Sequence, residues 1–295
     1  MKLRIAENFR AVFYAPFYAI RALGLAEREG LAIEWLSSEV PGGTIEEVKR
    51  GGIDAQWGGP MRVLKDHDSA ASSLVCFGEV VGRDPFYLIG RKSPPSFGLK
   101  DLAGMHLGIV SEVPTPWYCL RADLEDAGVD TTTLRITKNL TMPQQLEALA
   151  AGKLDAVQLF EPYASRALAE GNTILYAASS RGPTCYTTFI TSRDSVAKRR
   201  EEFAALERAT QAMLDWVAKE GPGELARVTA SFFPDVPQDL LRSAFERYQR
   251  AGLWSRTTAV SKAGFERLAY SLHDGGFIAH RATHAECVQD FARRT

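Results

Sequence analysis

The chain has 295 residues, 45% of them hydrophobic and 24% charged, which excludes a disordered, collagen-like or coiled-coil chain. At ~150 residues per domain that length suits about two domains. Lys and Arg number 35 against 36 Asp and Glu, so no basic excess exists to neutralise phosphates and nucleic-acid binding is not expected; nor does any apolar run approach the ~20 residues that would insert into a membrane.

Residues 3–6 read as a short opening strand, stopped by polar Glu7-Asn8. Across residues 15–29 apolar side chains recur at helical spacing (Phe17, Ile20, Leu23, Leu25), and Gly30 offers the C-terminal cap. Residues 31–36 are a second strand, Pro41-Gly42-Gly43 a turn, and Thr44 can cap a helix over 45–50. Strand, helix, strand, helix argues for a parallel sheet covered by helices. Further on, residues 99–103 read as a short helix, 105–110 a strand, 111–116 a loop, 117–127 a helix, 132–137 a strand and 143–151 a helix. From residue 197 onward the pattern is mostly amphipathic helix, with Phe203, Leu206, Ala209, Met213 and Trp216 at three- and four-residue steps. This block is expected to wrap back on the first lobe.

An internal echo suggests twin lobes. Gly52-Ile-Asp54-Ala55 and Gly152-Lys-Leu-Asp155-Ala156 both end a helix at Gly and enter a strand through Asp-Ala. The second lobe is expected to begin near the stiff stretch Ser93-Pro94-Pro95-Ser96. Extended segments near 79–88 and 184–191 are candidates for chain crossings. The expected division is therefore 1–88 with 189–295 as lobe 1, and 89–188 as lobe 2.

These pieces resemble a known family. Asn8-Phe9, Tyr14-Ala-Pro16-Phe17, Gly24-Leu-Ala-Glu-Arg-Glu-Gly30, the two Asp-Ala motifs, Asp101-Leu-Ala-Gly104 and Glu161-Pro162 stand in the order found in solute-binding proteins of ABC transporters for sulfonates, nitrate, taurine and thiamine pyrimidines. That superfamily also contains the fungal-type thiamine-pyrimidine synthases. The resemblance implies an α/β, two-lobe fold of the type II periplasmic-binding-protein kind. Each lobe is then a mostly parallel sheet flanked by helices, with ligand held in the cleft between them.

Ligands of open α/β sheets sit beyond the carboxyl ends of the strands, so the loops there should line one crevice. Asn8, Phe9, Tyr14, Trp57, Gly58, Trp117, Phe160, Tyr163 and Tyr186 fall in or beside those loops, and the aromatics suit a planar or apolar ligand body. Trp57 and Tyr14 are the foremost candidates; Tyr14 stands where the pyrimidine branch usually has His. Gly42, Gly43 and Thr44 precede one helix and Ser111 another, where backbone N–H groups favour an anion, although Pro114 and Pro116 remove two donors from the second. Arg62 can clamp an anion in fork geometry, as can Arg83. Glu79 and Glu161 can take a ligand amine or pair with those arginines; the family tends to place a cleft Glu where Glu161 stands.

Catalytic and metal residues are not expected, nor a cofactor. Where the synthase branch has its imine-forming Lys and its His, this chain has Gly58 and Arg62, and of the branch's cysteine-rich run only Cys185 remains. Cys76, Cys119, Cys185 and Cys287 form no Cys-x-x-Cys pair, and His273, His280 and His284 are read as surface or packing residues. The expected function is a solute-binding protein closing two lobes on a small organic ligand, aromatic or anionic, with ABC transporter membrane subunits as partners. The alternative is a cytoplasmic enzyme on the same cleft, acting on a thiamine-pyrimidine precursor or an aromatic sulfur compound; a ligand-sensing module is a third reading. The opening residues are not a signal peptide, so the chain reads as cytoplasmic, or as periplasmic if a leader has been removed.

Overall fold

A computed structural model describes residues 1–38, 40–92, 96–110 and 112–291. The first sheet holds β1 (Lys2–Ala6), β2 (Ala32–Leu36), β3 (Ala55–Gly58), β4 (Leu74–Val81) and β10 (Thr187–Ser192), in the order β2-β1-β3-β10-β4. The second holds β5 (Tyr87–Gly90), β6 (His106–Gly108), β7 (Arg135–Thr137), β8 (Ala156–Leu159) and β9 (Thr173–Ala177), in the order β7-β6-β8-β5-β9. The two orders are the same pattern. In each, three parallel neighbours are followed by one antiparallel strand, and that strand is the one reached just after a chain crossing.

The Asp-Ala echo has a structural meaning. Asp54 accepts the Arg4 N–H at 2.7 Å and donates its own N–H to Arg4 O at 3.0 Å. Asp155 does the same with His106, at 2.9 and 2.8 Å. Each Asp thus locks the start of β3 or β8 onto the parallel strand beside it. Strand β4 is buried along its whole length, as expected of a strand covered on both faces.

The helices are α1 (Ala15–Ala22), α2 (Leu25–Arg28), α3 (Ile45–Lys49), α4 (Met61–Asp66), α5 (Thr115–Asp126), α6 (Met142–Ala150), α7 (Tyr163–Ala169), α8 (Arg193–Lys198), α9 (Arg200–Thr229), α10 (Gln238–Arg250), α11 (Lys262–Asp274) and α12 (His284–Cys287). The single helix expected over 15–29 is two, because Gly24 takes φ +62° and breaks the ladder. Thr44 does not cap α3 with its side chain; its hydroxyl donates instead to Gln56 Oε1 at 2.6 Å. Helix α6 starts with a full capping box, Thr141 with Gln144. Helix α9 kinks at Gly221, ahead of Pro222, and buries Phe203, Leu206, Ala209 and Met213 against α1 and β4.

The chain passes from the first sheet to the second at residues 82–86 and returns at 182–186. Arg181, at the end of a 3-10 turn (Ala178–Arg181), ties these segments to α5: its Nη1 lies 2.6 Å from Asp84 Oδ2 and its Nε 3.0 Å from Asp123 Oδ1. Of the stretch expected to open the second lobe, Ser93, Pro94 and Pro95 lie outside the described residues.

Candidate functional site

The loops at the carboxyl ends of both sheets face each other across a cleft of about 760 Å³. That volume falls in the range of small-molecule sites. One wall is Phe9 to Val12, Pro41 and the segment Phe232 to Val236 before α10; the other is Val113, Thr141 to Pro143, Phe160, Pro162, Tyr163 and Arg166. The lining is mostly aromatic, aliphatic and proline, with Arg10, Arg166, Glu112 and Asp235 adding charge.

Aromatic rings close the inner end of the cleft. Phe160 meets Phe13 edge-on at 5.2 Å and Phe86 at 5.1 Å, while Phe9 stands 5.5 Å from Tyr14. Behind them a small void of about 20 Å³ shares Phe9 and Val113 with the cleft. It has room for about one water-sized group. Its polar lining is Asn8, Tyr14, Arg62 and Thr115.

Asn8 is the hub of this inner pocket. Its Oδ1 accepts the Gly42 N–H at 2.7 Å and Arg62 Nη2 at 3.4 Å, and its Nδ2 donates to Tyr14 Oη at 3.3 Å. Among the described residues no carboxylate stands within ion-pair distance of Arg62, and its buried Nε has no hydrogen-bond partner. Burial lowers the Arg62 pKa from its ordinary value. Burial also pushes the Tyr14 hydroxyl up to about 12, against the opposing bond from Asn8. Tyr14 is therefore a neutral hydroxyl at physiological pH, able to donate. Gly42 sits on the guanidinium with φ +76°, and a Cβ there would fall 2.0 Å from Arg62 Nη1. The N-terminus of α5, with Thr115, approaches from the second sheet and adds the positive end of a twelve-residue helix. An uncompensated guanidinium, a helix N-terminus and two neutral donors make the void behind the cleft's inner wall attractive to an anionic group.

Of the residues expected from the sequence, Asn8, Phe9, Tyr14, Gly42, Arg62 and Tyr186 gather at the inner pocket. Gly58 lies beside Asn8, its absent Cβ 3.5 Å from Asn8 Cγ. Gly43 shapes the neighbouring turn, donating its N–H to Val40 O at 3.0 Å. Thr44 is spent on Gln56. Ser111 lies outside the described residues.

Four others are placed elsewhere. Trp57 stacks flat on Phe17 at 5.1 Å and edges against Tyr18 and Trp35, behind the cleft wall, because it lies on the sheet face that α1 covers. Trp117 packs in the apolar cluster of the second sheet, under Lys138. Glu79 is buried away from Arg62 and Arg83, accepting Ser255 Oγ at 2.8 Å and the Ser261 N–H at 3.3 Å, which pins the segment before α11. Glu161 neighbours the cleft but pairs with Arg247 Nε at 2.7 Å.

Two parts of the wall escaped the sequence reading. Thr141 to Pro143 follow β7, whose loop is not among those expected to line the crevice. Phe232 to Val236 join two helices and follow no strand, yet an apolar Phe-Phe-Pro run between helices was a visible signal.

The cysteines are all buried; burial pushes the Cys119 and Cys287 thiols up to about 12 and raises Cys185 well above the ordinary thiol value. Thiolate, the nucleophilic form, is scarce at neutral pH under those conditions. Among the described residues no group of three or more His, Cys, Asp or Glu side chains could hold a metal ion, and no helix is long and apolar enough to cross a membrane.

Comparison with known proteins agrees with this geometry. A family model described as NMT1/THI5 like matches residues 13–223. YtlA of Bacillus subtilis (strain 168), whose name proposes a binding role, is 22% identical over 97% of this chain and 87% of its own. Among solved structures, the periplasmic aliphatic sulphonate binding protein SsuA of Escherichia coli matches with a TM-score of 0.77 at 17% identity, covering 97% of each chain. The desulfurization enzyme DSZB matches at 0.69 and 16% identity, over 98% of this chain and 97% of its own. At such identities the likeness shows the fold: the two-sheet α/β architecture of periplasmic binding proteins, which hosts both a binder and an enzyme.

Proposed function

The chain belongs to the NMT1/THI5-like family, and from that premise we propose that it is a solute-binding protein of an ABC-type uptake system. It holds a small organic ligand, aromatic or anionic, between two lobes that close about a hinge. The lobes, expected as residues 1–88 with 189–295 and residues 89–188, are proposed with their borders two residues earlier, so that β5 falls whole in the second and β10 whole in the first. Because β5 begins at Tyr87 in the second sheet and β10 at Thr187 in the first, we set the pivots at residues 82–86 and 182–186. The membrane subunits of a transporter read the closed shape, and the protein works in the periplasm.

The observation that carries this reading is Arg62. A half-buried guanidinium with no carboxylate among the described residues stands where both sheets converge, in the void of about 20 Å³ behind the aromatic rings that close the 760 Å³ cleft. Desolvating such a charge is costly unless something pairs with it. The partner we infer is a ligand anion that displaces the rings between void and cleft, with the aromatic walls taking the ligand body. The sulphonate specificity in the name of SsuA supports the same head group.

A thermal-shift screen with sulfonates such as MOPS, aromatic acids, pyrimidines and nitrate tests the proposal. A hit that raises the melting temperature and is recovered unchanged supports a binder. A hit that is converted makes the protein an enzyme, and no stabilisation by any class overturns the solute-binding reading.

A further inference from the structure

We propose that Arg247 on α10 and Arg267 on α11 form a clasp that stabilises the closed arrangement of the two sheets without ligand, and so sets how tightly the cleft holds one. The proposal rests on the hinge-closure reading above. Both arginines leave helices that pack on the first sheet: α10 lies along α9, and α11 shares an apolar cluster with Val63, Leu64 and Ile190. Both reach carboxylates of the second sheet that are almost wholly buried.

Arg247 Nε donates to Glu161 Oε1 at 2.7 Å and its Nη2 to Ser165 Oγ at 3.2 Å. Glu161 is fully buried in the turn between β8 and α7, and its neighbours Phe160 and Pro162 wall the cleft. Its second oxygen accepts the Ser165 N–H at 2.9 Å, and its own N–H donates to Tyr248 Oη at 3.0 Å. Helix α10 therefore holds both the charge and the backbone of the turn that carries the cleft wall. On the other flank, Arg267 Nη2 donates to Asp123 Oδ1 at 3.0 Å and to Asp126 Oδ2 at 2.9 Å.

Charge balance explains why these cations matter. Arg181 alone faces two buried carboxylates, Asp84 and Asp123, so Arg267 supplies the second positive charge. For Glu161, Arg247 is the ion-pair partner among the described residues. A carboxylate buried without its cation is penalised, but the same carboxylate in an open cleft is rehydrated. Loss of either arginine therefore penalises the closed state and leaves the open one nearly untouched. The two contacts also flank the crossing segments. Tyr248 of α10 stacks on Tyr87 at 6.4 Å, just past the first crossing, and Gly264 of α11 lies against the backbone of Pro183 to Cys185 in the second.

Small-angle scattering of the ligand-free protein tests the clasp directly. A closed chain of this length should have a radius of gyration of ~19 Å. The wild type should lie near that value, and the double variant Arg247→Met, Arg267→Met should be measurably larger. Arg208→Ala, which removes an exposed pair with Glu29 inside the first sheet's layer, should leave the radius unchanged. An unchanged radius in a folded double variant overturns the proposal. If that variant does not melt cooperatively, Tyr248→Phe removes only the acceptor for the Glu161 N–H; a larger radius supports the clasp and an unchanged one overturns it. Titration with MOPS supplies the functional readout: if the closed fraction falls to a tenth, apparent affinity falls about tenfold. Absence of binding across the whole ligand panel counts against the solute reading, and the scattering result alone then decides the clasp.

Discussion

Arg62 and Glu79 are both charged groups taken out of water, and they differ in what satisfies them. Arg62 has Asn8 as a weak neighbour and an Nε without a partner among the described residues. Replacing it by glutamine should weaken anionic ligands by about 10–150-fold, the worth of a hydrogen bond to a charge at about 1.5–3 kcal/mol, and leave neutral ligands alone. The melting temperature should hold or rise, since a costly buried charge is gone; calorimetric titration beside a melt reads both. Glu79 is satisfied by Ser255 and Ser261, but burial still raises its pKa above the ordinary value. A raised folded-state pKa means the folded protein prefers the protonated form. Its stabilising contribution is present below the ordinary glutamate pKa of ~4.3 and is lost as pH climbs through the raised value. Glu79→Gln should therefore gain on the wild type as pH rises above about 4.3. A melting-temperature difference, variant minus wild type, that falls with rising pH would contradict that sign.

At the scale of elements, the two Asp-Ala turns test whether equal local roles carry equal weight. Both aspartates accept the N–H of a neighbouring parallel strand. Asp54, with only 4% of its side chain exposed, also pairs with Arg199 at 3.1 Å, whereas Asp155 is 42% exposed and pairs with Arg91 at 3.0 Å. Asp54→Ala removes a buried carboxylate with its bonds to the Arg4 N–H and to Arg199, whose side chain stays hydrated, and should cost about 1–3 kcal/mol. Asp155→Ala loses a solvent-screened pair and one peripheral hydrogen bond, and should cost about 1 kcal/mol. Denaturant titration compares them; equal losses would mean that burial does not set the difference. These turns were legible in the sequence because Gly, Asp and Ala in that order report a local backbone need. So were β1, β2 and the long buried helix face of α9, whose periodicity is strong. The break at Gly24 was not legible as a break, since a glycine inside a helical pattern does not declare its φ.

At the scale of the molecule, the C-terminal helices join both sheets, through α10 at the β8–α7 turn and α11 along α5. Calorimetry should then show one cooperative transition for the whole chain; two separated peaks would mean that the sheets unfold independently. By itself the sequence determined the α/β class, the twin construction, the family and the strand-end loops from which the cleft is made, because each of these is written in local order and spacing. Asn8, Phe9, Tyr14 and Arg62 follow from it, since strand ends in such folds converge. Only the tertiary structure decided that Trp57 packs behind the wall, that Glu79 and Glu161 hold other elements in place, and that the loop before α10 supplies a wall of its own. The reason is that a residue's partners across hundreds of positions depend on which face of a strand it occupies and on where distant helices return, and neither leaves a mark in the residues nearby.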